Sequence, residues 1–582
     1  MTEQLAPSAG RAPLPLEQAL ARMHLDGPQV PLATVLNGVT THRAVLQDFR
    51  TLDTCLEAEL SNVHWNTAGV SLFAENDVPY AINNTSQLSD RASEVLFRNC
   101  QEFEPAGLIY LLEIGAGTGL FARYLLDAFR QRCEQAGRDY YQRLTFHVTD
   151  GSATTVQQWH ERAIFTEHAE HVVLAVCDAQ RPDSCSSPGV ATQPLPAPRA
   201  VFCNYVLDSL AYTVVRRGPG GPEELHVRTR ITEDEARLKR YTRLRIDELR
   251  QLARSTDAAA RARLAPLVPC FEYETAFRPV ERALQGLDAA LTVGAGQDRV
   301  LLNEGALLTL DRLMARMEDH GFVMINDYGP VEADQFAAQA VPQRFGRTIA
   351  LGLNFPLLLH YLVAGGCQVA KPEDDDTRSI HTRLVSRGHL PRTVEAFNAQ
   401  FGPGEAQFEQ LVEAARRHLE AGRQDEAIGS YKQAMARHPR DWRLLGEVAE
   451  FLIRSLGNFE AGLATARAAV AINPWYSAWL WNVVGDALYA TYAFEEAHEA
   501  YLQGQRIDPR DVRTHLNLAY THAGFGDHRA ALDALACGLA HDTTGLFRER
   551  LLQKQQEVLM LIANRAESEN EWLSRRAARL RS

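Results

Sequence analysis

The chain has 582 residues, 46% hydrophobic and 23% charged, with 60 Lys and Arg against 73 Asp and Glu for a net charge of −13. That length allows about three or four domains, and the composition is that of a folded protein rather than a disordered or collagenous one. An acidic balance opposes a surface that tracks phosphates, so nucleic acid is excluded as a partner class.

Residues 1–16, rich in Ala, Pro and Gly, are expected to be disordered. No basic segment followed by an apolar core stands there, so no secretory signal is expected. Residues 17–105 read as a mainly helical N-terminal lid over the site that follows. Leu108 to Leu112 then form an unbroken apolar run, as in a parallel strand covered on both faces. Leu120, Phe121, Tyr124, Leu125 and Phe129 recur at helical spacing. Between strand and helix lie Glu113, Gly115, Gly117 and Gly119, and glycines there let backbone N–H groups approach a ligand where a Cβ would intrude. A dinucleotide turn needs glycine where Leu120 stands, which disfavours NAD. The bland alternative is an ordinary strand-to-helix turn.

The pattern Glu-x-Gly-x-Gly-x-Gly resembles the first motif of class I S-adenosylmethionine (SAM)-dependent methyltransferases. The resemblance implies an α/β Rossmann-like domain, SAM as cofactor with S-adenosyl-L-homocysteine as its product, and Glu113 near the methionine amino group. Leu144 to Asp150 reads as the next strand, with Asp150 placed to accept from the ribose hydroxyls as the acid of a nucleotide fold does. His171 to Val176 is a third strand, followed by Cys177 and Asp178, where this fold class contacts adenine. Either acid could instead cap a following helix.

Ala200 to Ala211 carries Asn204 and Asp208, Thr213 to Arg228 reads as a hairpin, and residues 231–287 as a helical insertion. Gly321 to Gly329 supplies another buried strand, ending in Asp327, Tyr328 and Gly329. Over roughly residues 75–365 this order of motifs resembles the MidA-like methyltransferases, which include a mitochondrial complex I assembly factor that methylates a protein arginine. Tyr205 and Ala211 replace the family's glutamate and proline. The resemblance places Tyr80 and Thr85 in a cofactor-contacting loop. A guanidinium acceptor offers a planar fork of donors that a carboxylate grips at two points. Asp208 is the candidate for that grip, Asn204 for orienting acceptor and cofactor, and Tyr328 for closing the pocket. Helix capping by Asp208 and simple packing by Tyr328 are the alternatives. The Asn/Asp-Pro-Pro-Tyr/Phe signature of enzymes that methylate nucleic-acid amines is missing at residues 204–207.

Ile349 to Ala364 contains Asn354, Pro356 and His360 and is too short to span a bilayer, so it reads as a late sheet strand entering a helix at Pro356, and no membrane partner is expected. The acidic run Glu373 to Asp376 reads as a solvated loop. The methyltransferase domain is bounded at 106–390.

Pro439, Pro474 and Pro509 recur every 35 residues, Gly422, Gly457 and Gly526 mark turns whose third copy holds Tyr492, and Ala427, Gly462, Ala497 and Ala531 keep a small residue. This period resembles tetratricopeptide repeats (TPRs), an all-α solenoid over 405–545 with three clear copies and a degraded fourth. Stacked helix pairs leave a concave face for an extended partner. Trp442, Trp475, Tyr476, Trp479 and Trp481 read as packing between repeats rather than a recognition strip. Residues 546–582 make a capping helix, Leu546 to Ile562, and a basic tail. Nine scattered cysteines without a Cys-x-x-Cys pair point to reduced thiols, no metal site and a cytoplasmic setting.

The reading is therefore a SAM-dependent methyltransferase acting on a side chain, arginine nitrogen foremost, of a protein or peptide recruited by the repeats. The alternatives are an enzyme modifying a small or carrier-bound metabolite, and a non-catalytic SAM-binding assembly chaperone. The oligomeric state stays open.

Overall fold

The computed structural model describes residues 43–74, 85–182, 184–186, 193–234, 238–332, 335, 343–345, 348–375, 378–402 and 405–581. The expectations for residues 1–16 and for Tyr80 lie outside the described residues. The chain divides into one unit of residues 1–80 and 92–402 and a second of 81–91 and 403–582.

In chain order the strands of the first unit are β1 (Arg43–Thr51), β2 (Ile109–Ile114), β3 (Leu144–Asp150), β4 (Val172–Val176), β5 (Ser184–Cys185), β6 (Gln193–Pro194), β7 (Ala200–Asn204) and β8 (Thr213–Gly218). They continue as β9 (Gly221–Thr232), β10 (Phe271–Pro279), β11 (Val300–Leu302), β12 (Phe322–Asp327), β13 (Gln343–Phe345), β14 (Thr348–Ala350), β15 (Gln368–Ala370) and β16 (His381–Ser386). Seven of them form one sheet in the order β15-β16-β12-β7-β2-β3-β4. Its β4, β3, β2, β7 and β12 run parallel, and β16 and β15 close one edge antiparallel. The apolar runs read from the sequence are these central strands: Phe322–Asp327 and Ala200–Asn204 are buried at every residue. Helices Leu120–Ala136 and Glu304–Arg316 bury apolar faces of their own, as parallel strands require of their crossovers. Leu108 is the exception in the first run: it is exposed, and the strand starts at Ile109.

A second, antiparallel sheet runs β1-β9-β8-β11 with β10 also on β9. It corrects two expectations. The N-terminal segment is not purely helical, because β1 pairs with β9 before helix Leu56–Ala68 begins. The insertion 231–287 is not purely helical either: helix Ile246–Arg254 is followed by β10, whose nine residues pair in register with β9. The Arg- and Glu-rich composition of both segments hid the strands, since in a one-sided sheet the alternate residues face water. The Thr213 to Arg228 hairpin forms as read, β8 turning into β9. A third correction concerns residues 349–364: β14 pairs only with β13, outside the seven-stranded sheet, and helix Phe355–Ala364 follows with Asn354 capping it. In the acidic run, Asp375 is no solvated residue. It is buried and grips Arg383 through both oxygens at 2.7 and 2.6 Å.

In the second unit, four successive helix pairs occupy Glu405–Glu420 with Gln424–Arg437, Trp442–Arg454 with Phe459–Ile472, Ala478–Ala490 with Phe494–Ile507, and Val512–Gly524 with His528–His541. The turns inside the pairs are left-handed at Gly422, Gly457, Tyr492 and Gly526, with φ of 71°, 61°, 64° and 78°. The small residues lie where helices touch: Ala427, Ala497 and Ala531 are fully buried, and a Cβ on Gly462 would run into Ile453. Trp442 is buried, and the Trp479 indole donates to Glu450 in the preceding pair at 3.1 Å, a packing role. The last helix, Arg548–Arg581, is longer than the sequence suggested; Leu551 and Val558 are buried, whereas Leu559 to Ile562 are exposed.

Candidate functional site

The carboxyl ends of β2, β3, β7 and β12 bring the predicted residues of the first unit together. After β2 the chain turns through Gly115, Gly117 and Gly119, all with positive φ (67°, 54° and 76°), a backbone path that a side chain would strain. Space is also short: a Cβ on Gly115 would meet Val206 at 2.7 Å, and one on Gly117 would meet the Phe73 ring at 2.7 Å. Gly119 is the N-cap of helix Leu120–Ala136.

Two contacts hold this loop. Asp150, at the end of β3, accepts from the Gly117 N–H at 3.0 Å with one oxygen and from the Ser152 N–H at 2.9 Å with the other. Trp159, fully buried on helix Ala153–Glu161, donates its indole N–H to Gly117 O at 2.9 Å. Asp150 does not cap that helix; Ser152 does. Burial pushes the Asp150 carboxyl up to about 6, against the pull of the backbone N–H groups of Ser152, Gly117 and Gly151.

Glu113 is buried at the end of β2, where its Oε1 accepts from Asn204 Nδ2 at 3.2 Å. Asn204 Oδ1 in turn accepts from Asn326 Nδ2 at 2.7 Å, and Asn326 Oδ1 from the Thr382 hydroxyl at 2.8 Å. This relay crosses β16, β12 and β7 to β2 and fixes which way each amide points. Glu113 Oε2 is buried without a hydrogen-bond partner among the described residues. Burial pushes the Glu113 carboxyl up to about 8, opposed by Asn204 and reinforced by the Asp150 charge. A left-handed glycine loop beside a buried acid with one unspent oxygen fits a ligand that carries an ammonium, as SAM does.

A second acidic pair sits beside this loop. Asp208 lies inside the short 3-10 turn Leu207–Ser209, which it does not cap, and is buried. Its N–H donates to Asp327 Oδ2 at 3.2 Å, while Asp327 Oδ1 accepts from the Tyr328 N–H at 2.9 Å. Burial raises the Asp208 carboxyl to about 6, against hydrogen bonding from Tyr328. Asp327, fully buried, is raised well above the ordinary carboxylate range by burial and by the Asp208 charge. Gly329 is required here because Leu353 passes so close that any Cβ would strike its carbonyl, and the Leu353 N–H donates to Tyr328 O at 2.8 Å. Tyr205 holds φ of 52° and donates its N–H to Asn326 O at 2.8 Å.

Two further candidates are Asp178 and Thr85. Asp178 is exposed and accepts from the Gln180 N–H at 2.9 Å, closing a turn after β4. Thr85 is buried just before helix Ser86–Glu102, in the stretch assigned to the second unit. Sequence reasoning left Asp327, Asn326, Thr382, Trp159 and Phe73 off the site; only Asp327 carried a signal, through its Asp-Tyr-Gly motif. No group of His, Cys, Asp and Glu suited to a metal ion occurs among the described residues. None of their helices is long and apolar enough to cross a membrane.

Residues 93–353 match a family model described as "Putative S-adenosyl-L-methionine-dependent methyltransferase". No curated protein matches. Among solved structures, the chain is similar to a COG1565 superfamily member from Burkholderia thailandensis bound to S-adenosyl-homocysteine, at 15% identity and a TM-score of 0.37, over 66% of this chain and 97% of that one. It is also similar to a thermophilic TPR protein of Thermus thermophilus, at 21% identity and a TM-score of 0.24, over 27% of this chain and 82% of that one. With the glycine loop and its buried acid, the family match makes this chain a SAM-dependent methyltransferase with SAM as its cofactor.

Proposed function

We propose that the first unit is a Rossmann-like class I methyltransferase of the MidA-like type, with its catalytic domain over residues 106–390, and that it methylates a side-chain nitrogen, arginine foremost, of a protein or peptide. The helix pairs of 405–545, read as TPRs, recruit that substrate. SAM supplies a methyl group on a cationic sulfonium, and its transfer is an in-line displacement. The protein's task is then to hold the acceptor, a contribution that reaches roughly 7–11 kcal/mol in well-oriented reactions.

The observation that carries the reading is the buried pair Asp208 and Asp327 beside the glycine loop. Two carboxyls that resist ionising together are stabilised by a cation between or beside them, and a guanidinium or ammonium meets that need where a neutral hydroxyl does not. Asp208 grips the acceptor, Tyr328 flanks it and Asp327 keeps both in place. Asn204 orients Glu113 through its amide, Glu113 takes the methionine ammonium, and Asp150 holds the loop while offering spare lone pairs to the ribose. Asp178 is a further cofactor contact, and Tyr80 and Thr85 keep the cofactor-loop role that the resemblance implies. Nine unbridged cysteines accord with a cytoplasmic setting.

Incubation of the full chain with methyl-labelled SAM and cell lysate tests the reading. Label in protein, released as methylated arginine on hydrolysis, is the expected result. Label confined to small molecules would replace it with a metabolite methyltransferase, and SAM binding without any transfer would leave an assembly chaperone.

A further inference from the structure

We propose that Cys177 and Cys185 form a reversible thiol–disulfide site, closed by exchange with a low-molecular-weight disulfide such as oxidised glutathione. Nothing in the sequence marks the pair, since seven residues separate the two cysteines and no Cys-x-x-Cys motif is present. The fold brings them together. Val176 and Ser186 exchange both backbone hydrogen bonds, Val176 N–H to Ser186 O at 2.8 Å and Ser186 N–H to Val176 O at 3.0 Å, as an isolated antiparallel bridge. The next pair of that ladder is Cys177 opposite Cys185, without backbone bonds between them. Such pairs have Cα atoms about 4.5 Å apart, within the roughly 4.4–6.8 Å that a disulfide spans.

The surroundings favour closure. The turn between them is tied by Arg181 N–H to Asp178 O at 2.8 Å and by the Asp178 side chain, so the two strand ends are already held face to face. Both side chains are buried in one apolar cluster and interact with each other there, while the Cys177 thiol also donates to Asp178 O at 3.7 Å. Position marks Cys185 as the attacking sulfur, because β5 has only two residues and yields more easily than β4, which is paired along its length with β3. Cys185 sits on the two-residue strand β5, paired on its other side only with β6, so a local opening of this short hairpin admits the oxidant.

The exchange balances in two steps. Cys185 loses its proton and its sulfur attacks the glutathione disulfide, forming a mixed disulfide as the glutathione S–S bond breaks and one glutathione thiol leaves. Cys177 then loses its proton and attacks the Cys185 sulfur, forming the intramolecular bond and releasing the second glutathione thiol. Two protein thiols are oxidised and one glutathione disulfide is reduced. The Cys177 N–H donates to Asp150 O at 2.9 Å, so the new bond staples the strand end that adjoins the loop-holding carboxylate.

The full chain is incubated with oxidised glutathione, quenched in acid, unfolded, alkylated and cut before aspartates, which separates the two cysteines, and its peptides are weighed and fragmented, because Cys203 shares a peptide with Cys185. The expected product is a peptide pair joined through Cys177 and Cys185, lighter by two hydrogens than the separate thiols and released by dithiothreitol. In Cys177→Ser, Cys185 should instead stop as the glutathione mixed disulfide. Full alkylation of both cysteines in the oxidised wild type, or separate glutathione adducts on each, would overturn the proposal. This readout needs no SAM and no acceptor, so it stands apart from the proposed methyl transfer.

Discussion

The Gly117 N–H donates to Asp150 Oδ2 at 3.0 Å, so a carboxylate at the end of one strand fastens the glycine loop that leaves its neighbour. A hydrogen bond to a charged group contributes about 1.5–3 kcal/mol. Asp150→Ala should therefore weaken SAM binding roughly 10- to 150-fold while the far-ultraviolet circular dichroism stays that of the wild type. Calorimetric titration with SAM reads the effect, and affinity within twofold of the wild type would show that the loop does not depend on this anchor.

Glu113 should make stability depend on pH. Burial raises its carboxyl from the ordinary 4.5 to about 8, so between those values the folded chain holds a proton that the unfolded chain has lost. Stability therefore falls as pH rises across that window, a loss on the order of a few kcal/mol. Glu113→Gln keeps the shape and removes the titration, so urea unfolding from pH 5 to 8 should give a flatter profile and greater stability than wild type at pH 8. Asp150 and Asp208, raised to about 6, slope the same way below that pH in both proteins. A SAM ammonium beside Glu113 favours the ionised acid, so binding near pH 7 should release a proton. Binding heats that do not vary with the buffer's ionisation enthalpy would contradict that placement.

Asp208→Asn separates binding from transfer. The variant should keep SAM affinity within about twofold and lose on the order of 100-fold in methyl transfer, the cost of a misplaced reactant. Turnover equal to wild type with unchanged SAM affinity would remove Asp208 from the catalytic residues.

Tyr492 takes the left-handed turn position that glycine holds in the other three helix pairs, with φ of 64° and a side chain that is largely exposed. A Cβ in that conformation costs roughly 1–2 kcal/mol. Tyr492→Gly should therefore stabilise the helix array by about 1 kcal/mol, less whatever its edge contact with Phe494 contributes. A rise in the midpoint of the transition assigned to residues 405–581 is the expected readout, and a fall would mean that the ring contact outweighs the backbone strain.

Much of the site was legible because its demands are local. A backbone that must turn left-handed three times in five residues asks for Gly115, Gly117 and Gly119, and a strand ending in an acid shows as an apolar run closed by Glu113 or Asp150. Asp208 was singled out from the sequence as a candidate to grip the acceptor, but not its contact with Asp327, because the two lie 119 positions apart. The strands β1 and β10 were missed because charged residues are mixed into their short alternation, and one of these, Glu272, is buried against Arg43 rather than facing water. The exposure of Asp178 could not be foreseen, since the same Asp closes a turn or faces a ligand with no change in its neighbours.

What the chain alone determined is the glycine loop, the strand-end acids and the 35-residue repeat, each written in the conformational limits or spacing of adjacent residues. Only the tertiary structure decided that Thr382, Asn326 and Asn204 line up to aim at Glu113, that Asp208 rests on Asp327, and that Cys177 faces Cys185. The reason is register. Which residues of two distant strands become neighbours is set by long crossovers and by the packing of the sheet they join, and no short window of sequence contains that information.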